Sequence, residues 1–401
     1  MPVHAPVPGC PRFGVNYIPS SGWLYSWTDW SADAVRADLT AIASLGVDHV
    51  RAHCLWPLFQ PNRTRVSPLM LAHLRELVDI AGDLGLDVSV CVLNGWMSGT
   101  YFRPFWQRDG VGVFTDPATI QAEKDLLTAV AETLGESPNL LGIDIGNEPN
   151  MMAFFAGNTV TRQQGDAWVR DLLDHCEQVA PGRLHVAGID HSPWLADDSC
   201  LSREVVGSAG AASVVHSWVF FSGALERYGP TGTGTLHLAR YLTELARAFG
   251  DTADRPVWVQ EIGISDEWID PEDVPGFAAT ILENTALADP WGITWWCSHD
   301  IDRSLSGFDS LEYGLGLFDT DNHLKPVGRA VKDTVERIRA TGTPAQPAAS
   351  SSMNAGGGVA GERPILVLPT GVTPDLEFAD RYFERIANGE NPRIIRETGR
   401  S

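Results

Sequence analysis

Eight strand-like apolar runs that alternate with stretches of helical period predict an α/β fold, a (β/α)8 TIM barrel with a short C-terminal extension. The runs are apolar almost throughout, as strands covered on both faces of a parallel sheet must be. Together with their helices they occupy roughly 325 residues, within the ~200 to 400 over which such barrels are built.

The strands are expected at residues 13–18, 49–55, 86–93, 140–146, 184–189, 212–218, 256–261 and 292–297. After the first, Ser31 precedes Val35, Leu39, Ile42 and Leu45 on one helical face, and Gly46 ends the period. Ser67-Pro68 and Asp116-Pro117 each place a capping side chain before a proline, whose missing N–H costs nothing at the first helical position. Gly85 and Gly135 supply the stops. A last helix at 326–340 completes a barrel over residues 1–340. Residues 341–361 are rich in Gly, Ser, Pro and Ala and read as a flexible linker. Residues 362–401 offer one strand-like run, 364–369, and one helical run, 375–387, too little for a core of their own, so they are expected to dock on the barrel.

Composition narrows the function. Hydrophobic residues at 44% and charged residues at 20% exclude global disorder. The excess of 51 acidic over 29 basic side chains gives a formal charge of -22, which repels nucleic acid and anionic membrane surfaces and favours a neutral ligand. No run approaches the ~18 apolar residues that span a bilayer. The first ten residues have neither a basic nor an apolar leader region, so the expectation is a soluble, cytoplasmic protein. Six scattered cysteines lack metal-ligand spacing and read as reduced, buried thiols. No metal or cofactor is implied, and no feature of the sequence sets the oligomeric state.

The chemistry lies at two strand tips. Asn147-Glu148-Pro149 follows the fourth run, and Glu261 ends the seventh. Because a TIM barrel carries its site at the carboxyl ends of its strands, both glutamates should face one mouth. Two carboxylates facing one cleft are the minimum equipment for hydrolysing a glycosidic bond. Singly, each has a plainer reading: Asn-Glu-Pro occurs by chance, and a strand-end glutamate can serve a salt bridge. Pro149 keeps the Glu148 backbone out of the right-handed helical region. Aromatics are the second signal. Trp291, Trp295 and Trp296 bracket the eighth strand, and the loop after the third carries Asn94, Trp96, Tyr101, Phe102, Phe105 and Trp106. Flat indoles cover the apolar C–H faces of sugar rings while polar groups take the hydroxyls.

Asn147-Glu148-Pro149 on strand four, Glu261 on strand seven, Arg51 in His-Val-Arg-Ala-His on strand two, His216 in Val-Val-His-Ser-Trp on strand six and Trp296 on strand eight together resemble glycoside hydrolase family 5. The resemblance covers residues 13–340 and implies a retaining glycosidase. It implies Glu148 as acid/base, Glu261 as nucleophile, Arg51 as the nucleophile's partner, and Asn147 as donor to the sugar 2-hydroxyl. Trp296 would be the platform under the reacting sugar, with Asn94, Trp96 and Trp106 nearby. One position departs from the family: two residues after the histidine it has tyrosine, and this chain has Trp218. Tyr313, Tyr228 and Tyr17 are the hydroxyls available to replace it.

The stretch 299–318 after strand eight is long for a βα connection and reads as a lid. A cleft closed at one end favours removal of terminal sugars. The absence of an export signal agrees, since polymers do not reach the cytoplasm. Intracellular members of the family, its subfamily 18, resemble the chain in these terms and include β-mannosidases acting on mannosyl-β-1,4-N-acetylglucosamine. The expected activity is therefore exo-hydrolysis of small β-mannosides, with a small oligosaccharide as substrate. Three rivals differ in their marks. An endo-β-1,4-mannanase or cellulase has an open cleft, and a non-catalytic sugar-binding barrel lacks one carboxylate. A metal-dependent amidohydrolase carries His-x-His after strand one, where this chain has Asn16-Tyr-Ile-Pro19.

Overall fold

The computed structural model of the chain describes residues 10–108, 110–155, 159–342 and 363–397. Eight parallel strands form its centre: β1 (Arg12–Tyr17), β2 (His49–Leu55), β3 (Asp87–Asn94), β4 (Leu140–Asn147), β5 (Val186–Gly188), β6 (Ser213–Ser217), β7 (Val257–Ile262) and β8 (Gly292–Trp295). The ladder runs β5-β4-β3-β2-β1-β8-β7-β6, so the first and last strands pair and the sheet curls into a barrel. Between β5 and β6, the Ala211 N–H donates to the His185 carbonyl at 2.8 Å and closes the ring at its base.

Helices α1 (Ala32–Ala43), α2 (Pro68–Asp83), α3 (Pro117–Leu134), α4 (Arg162–Val179), α5 (Arg203–Ser208), α6 (Leu238–Ala248), α7 (Val274–Ala286) and α8 (Pro326–Thr341) surround the strands. The expected caps form: Ser31, Ser67 and Asp116 accept from the backbone N–H groups of Ala34, Met70 and Thr119, satisfying donors that the first helical turn leaves free. No helix among the described residues is long and apolar enough to cross a membrane. All six cysteines are free; Cys54, Cys91, Cys176 and Cys297 are buried.

Two apolar layers result. The larger joins the outer faces of the strands to the helices. The smaller fills the base of the barrel with Leu141, Val186, Val214, Trp258 and Trp291. There the Trp258 indole N–H donates to Thr294 Oγ1 at 2.8 Å, so the one polar atom of a wholly buried tryptophan is satisfied. The base of the barrel is thus filled by side chains.

Four ladder irregularities fall toward the carboxyl ends of strands, at His53/Leu55 on β2, Asp144/Asn147 on β4, Val215/His216 on β6 and Ile293/Trp295 on β8. Such bulges re-aim side chains where a strand meets a site.

The linker expected at 341–361 lies outside the described residues from 343 onward. Beyond it the tail contains the expected strand β9 (Ile365–Leu368) and helix α9 (Leu376–Ala387). A second strand, β10 (Arg393–Arg396), pairs parallel with β9. Arg-Ile-Ile-Arg was too short and too charged to read as a strand in the sequence. The tail covers α6, whose Arg240 and Glu244 are buried beneath it and bonded to Asn391 at 2.6 Å and Arg363 at 2.6 Å. Tyr241 donates to the Pro374 carbonyl at 2.7 Å, and Phe383 packs on the Tyr241 and Tyr228 rings. Phe383→Ala should therefore loosen the tail by about 3 to 5 kcal/mol. Limited proteolysis would then cut after residue 363 well before the barrel is attacked; unchanged cleavage kinetics would contradict this docking.

Candidate active site

At the upper end of the barrel a single buried cation organises the strand tips. Arg51 of β2 is fully buried. Its Nε donates to Asp144 Oδ2 at 2.8 Å and its Nη1 to Glu261 Oε1 at 2.8 Å. Nη1 also reaches Asn16 Oδ1 at 3.1 Å, and Nη2 donates to Asn147 Oδ1 at 2.9 Å. Burial works against its charge, but Asp144 and Glu261 more than offset this and hold the guanidinium protonated. Asp144 in turn accepts from the Gly188 and Gly146 backbone at 2.8 and 3.2 Å. Gly188 has no alternative: a Cβ there would stand 2.6 Å from Arg51 Nη2 and 2.9 Å from both Asp144 Oδ2 and Gln260 Oε1.

Glu261, on β7, receives a second bond from the Trp218 indole N–H, 3.2 Å from Oε2. This settles the departure seen in the sequence. The tyrosines all face elsewhere: Tyr313 donates to the Leu305 carbonyl, Tyr228 to Asp380 of the tail, and Tyr17 to Asp38 on α1. Tyr17, expected at the site, is excluded by strand alternation, because its neighbour Asn16 takes the inward position and bonds Arg51 and the Gln260 carbonyl.

Glu148 follows β4 with a φ of 45°. That left-handed backbone costs about 1 to 3 kcal/mol in a non-glycine residue. The Glu148 N–H donates to the Gly188 carbonyl at 2.7 Å, while its own carbonyl accepts from Met151 and Met152 and opens the short helix Pro149–Phe155. Its carboxyl Oε1 lies 2.8 Å from His216 Nδ1. On the other side of that ring, Nε2 lies 3.1 Å from Gln260 Oε1. Burial lowers the His216 pKa, so the ring is neutral; the network then assigns its proton to Nε2, which donates to Gln260. Nδ1 is left as an acceptor for a proton that Glu148 holds.

Electrostatics agree with that assignment. Burial, with the nearby negative charge of Asp190, pushes Glu148 up to about 8. Burial also raises Glu261, to about 7, against the pull of the His216 ring, Arg51 and the Trp218 N–H, and its direct bond to the Arg51 guanidinium favours its ionisation ahead of Glu148. One oxygen of each carboxyl and one His216 nitrogen all lie within 4.8 Å of one another. Such a trio could hold a divalent ion, yet the bonded guanidinium of Arg51 already supplies positive charge to Glu261.

Around this centre, Trp296 is buried with its ring centroid 5.6 Å from that of His53. Trp96 stacks on Phe155 at 4.1 Å and offers its carbonyl to the Asn147 amide at 2.9 Å. Asn94 at the end of β3 is fully buried, and both its amide atoms lack a protein partner. Trp106 is bonded to the Gln60 carbonyl beside Trp56. Sequence reasoning missed Asn16, Asp144 and Gln260, although a lone charge in Leu-Gly-Ile-Asp-Ile was itself a sign of a buried partner.

The rim is built up on one side. The loop after β8 is tied to that strand's end by the Leu317 N–H, which donates to the Cys297 carbonyl at 3.1 Å. Its Phe308 packs on Trp23, which follows β1, at 4.9 Å, and Trp23 meets Phe102 of the β3 loop at 5.3 Å. Asp309 borders Gly99 in that same loop, and Ser310 donates to Glu267 beyond β7 at 2.8 Å. The loop thus closes over the ends of β8, β1 and β2.

The folded chain has solved relatives. A GH5_18 protein from Streptomyces cattleya, in complex with GlcNAc, is 39% identical with a TM-score of 0.87, the match covering 96% of this chain and 93% of that one. A Glu-to-Ala variant from the same organism, in complex with Manβ1-4GlcNAc, is 38% identical with a TM-score of 0.88 over 96% and 94% of the two chains. A GH5_18 variant from Bifidobacterium longum subsp. longum, bound to the same disaccharide, is 33% identical with a TM-score of 0.86 over 96% and 91%. No protein-family model and no curated protein sequence matches the chain.

Two outcomes follow from the buried charges. Arg51→Met leaves Asp144 and Glu261 buried without their cation and should cost about 3 to 5 kcal/mol, read as a lower urea midpoint; an unchanged midpoint would contradict the pairing. For Glu148, the unfolded carboxyl titrates near ~4.3 and the folded one at about 8, so the folded state binds more protons in between and stability falls as pH rises through that window. Glu148→Gln removes this loss. The variant should match the parent at pH ~4 and exceed it in stability at pH ~8, as measured by thermal unfolding; a parent that is relatively stabilised toward pH ~8 would contradict the assignment.

Proposed function

The chain belongs to glycoside hydrolase family 5, subfamily 18, and from that membership we propose that it removes terminal β-linked mannose from small oligosaccharides by a double displacement that retains anomeric configuration. It is a glycoside hydrolase. Its relatives bind Manβ1-4GlcNAc and GlcNAc, and the disaccharide is the substrate we assign to this chain. The observation that carries the mechanism is the proximity of two carboxyls, an oxygen of one lying within 4.8 Å of an oxygen of the other. Retaining enzymes hold their carboxyl groups ~5 to 5.5 Å apart, too close for a water molecule to be activated between base and sugar.

In the first step ionised Glu261 attacks the anomeric carbon while Glu148 gives its proton to the glycosidic oxygen, releasing the leaving sugar and forming a covalent glycosyl-enzyme. The charge on Glu261 is consumed in that bond. Glu148, now ionised, takes a proton from water, whose oxygen attacks the same carbon and frees Glu261. Arg51 and Trp218 hold the nucleophile in place and favour its ionised form. His216 orients Glu148. Asn147, fixed by Arg51 and the Trp96 carbonyl, keeps one amide hydrogen for the sugar 2-hydroxyl. Trp296 serves as the floor beneath the reacting ring.

Exo action is supported by Trp23, Phe102 and Phe308, whose rings contact one another and wall the rim between the loop after β8 and the loop after β3. An endo-acting enzyme needs that side open.

Glu261→Ala should abolish turnover, and azide should restore a glycosyl azide of inverted configuration. Glu148→Ala should still be glycosylated by substrates with good leaving groups. Each change should lower activity on Manβ1-4GlcNAc by at least ~100-fold, the least that general acid catalysis contributes. Smaller losses, or a preference for long mannan over the disaccharide, would contradict the roles or the exo reading respectively.

A further inference from the structure

Strict alternation along a strand would turn Gln260 and Glu261 to opposite faces of β7, yet both side chains enter the barrel. The cause is an extra residue on β7. Val215 pairs with Val259 and His216 with Glu261, so two steps along β7 match one along β6. On the other side, Ile293 pairs with Val259 and Trp295 with Ile262, so three steps match two along β8. Such a bulge re-aims a side chain. Glu261 thereby meets Arg51, while Gln260, wholly buried, brings its Oε1 to 3.1 Å from His216 Nε2. The Gln260 backbone carbonyl is held by the Asn16 amide at 3.0 Å.

His216 thus stands between Gln260 and Glu148, whose Oε1 is 2.8 Å from Nδ1. Nδ1 also lies 3.5 Å from Glu261 Oε2, but the Trp218 indole N–H already donates to that oxygen at 3.2 Å. Which nitrogen of a histidine carries the proton is set by the hydrogen bond that the other makes. An amide oxygen can only accept, so it places the proton on Nε2 and leaves Nδ1 bare for the Glu148 O–H. The reverse orientation of the amide would move the ring proton to Nδ1 and leave Glu148 ionised, a third buried anion beside the two that Arg51 balances. A carboxylate at position 260 would accept equally well, but its charge would favour the doubly protonated ring, as a buried aspartate does for the histidine of a serine protease. The second proton would come from Glu148.

We propose that Gln260 is a positioning residue: accepting from Nε2 as a neutral amide, it fixes the tautomer of His216 and so keeps on Glu148 the proton that the leaving sugar takes. This rests on the acid/base role assigned to Glu148. Gln260 acts through the ring and not on the sugar.

The test compares the parent enzyme, Gln260→Glu and Gln260→Met on two substrates. Manβ1-4GlcNAc has a leaving sugar that needs a proton; 2,4-dinitrophenyl β-D-mannopyranoside has a phenolate that leaves without one. In Gln260→Glu the ratio of kcat/KM on the aryl mannoside to that on the disaccharide should rise by about 10- to 100-fold, part of the ~100- to 10,000-fold that general acid catalysis contributes. Gln260→Met, which only frees the ring, should raise the ratio by less. The ratio is independent of how much of a variant folds. An unchanged ratio, with both substrates slowed alike, would mark a merely structural role and overturn the proposal. Nitrogen-15 NMR of histidine-labelled parent enzyme at neutral pH, with the His216 signals identified by their loss in His216→Gln, reads the ring without any change at position 260. It should show Nε2 protonated and Nδ1 bare. A proton on Nδ1 would overturn the proposal, whereas a parent inactive on both substrates would overturn the glycosidase reading beneath it.

Discussion

The guanidinium of Arg51 is the constraint on which the upper half of the barrel depends. It is a wholly buried charge, and such a charge persists only when paired and fully hydrogen-bonded. Its partners come from three other strands: Asn16 on β1, Asp144 and Asn147 on β4, and Glu261 on β7. Meeting those bonds fixes how four strand ends sit relative to one another. Gly188 on β5 joins the set by leaving room for the cation and giving its N–H to Asp144.

The same cation explains why two neighbouring glutamates behave differently. Arg51 is balanced by Asp144 and Glu261, and the N–H groups of Trp218, Gly146 and Gly188 absorb the remaining negative charge. A third ionised carboxyl would have no counterpart. Burial and the nearby negative charge of Asp190 disfavour ionisation of Glu148, and the more distant His191 and Arg51 do not offset them, so it keeps its proton. Under the proposed double displacement, consumption of the Glu261 charge in a covalent bond weakens the reason for Glu148 to stay protonated and lets it act as a base. One electrostatic arrangement thereby serves both halves of the reaction.

The barrel was legible because its strands announce themselves twice, by apolarity and by spacing, and all eight expected runs coincide with observed strands to within two residues at each end. Glu148 and Glu261 were legible because strand tips in this fold converge on one mouth. Trp218 was read as a supporting residue and as a departure from the family's tyrosine, but chain order cannot say that an indole N–H will reach where a phenol was expected. Tyr17 failed for a local reason: in a strand the next residue points the other way, and Asn16 holds the inward position. Asp144 and Gln260 were overlooked because they sit inside runs read as apolar.

The claim most exposed to test is the order in which the two carboxyls ionise. Carbon-13 NMR of side-chain-labelled glutamate, assigned with Glu148→Gln and Glu261→Gln variants, would follow both groups through a pH titration of the free enzyme. The account predicts that Glu261 ionises first and that Glu148 follows at about 8. Ionisation of Glu148 ahead of Glu261 would contradict it, because the acid would then lack its proton under the conditions in which the nucleophile is charged.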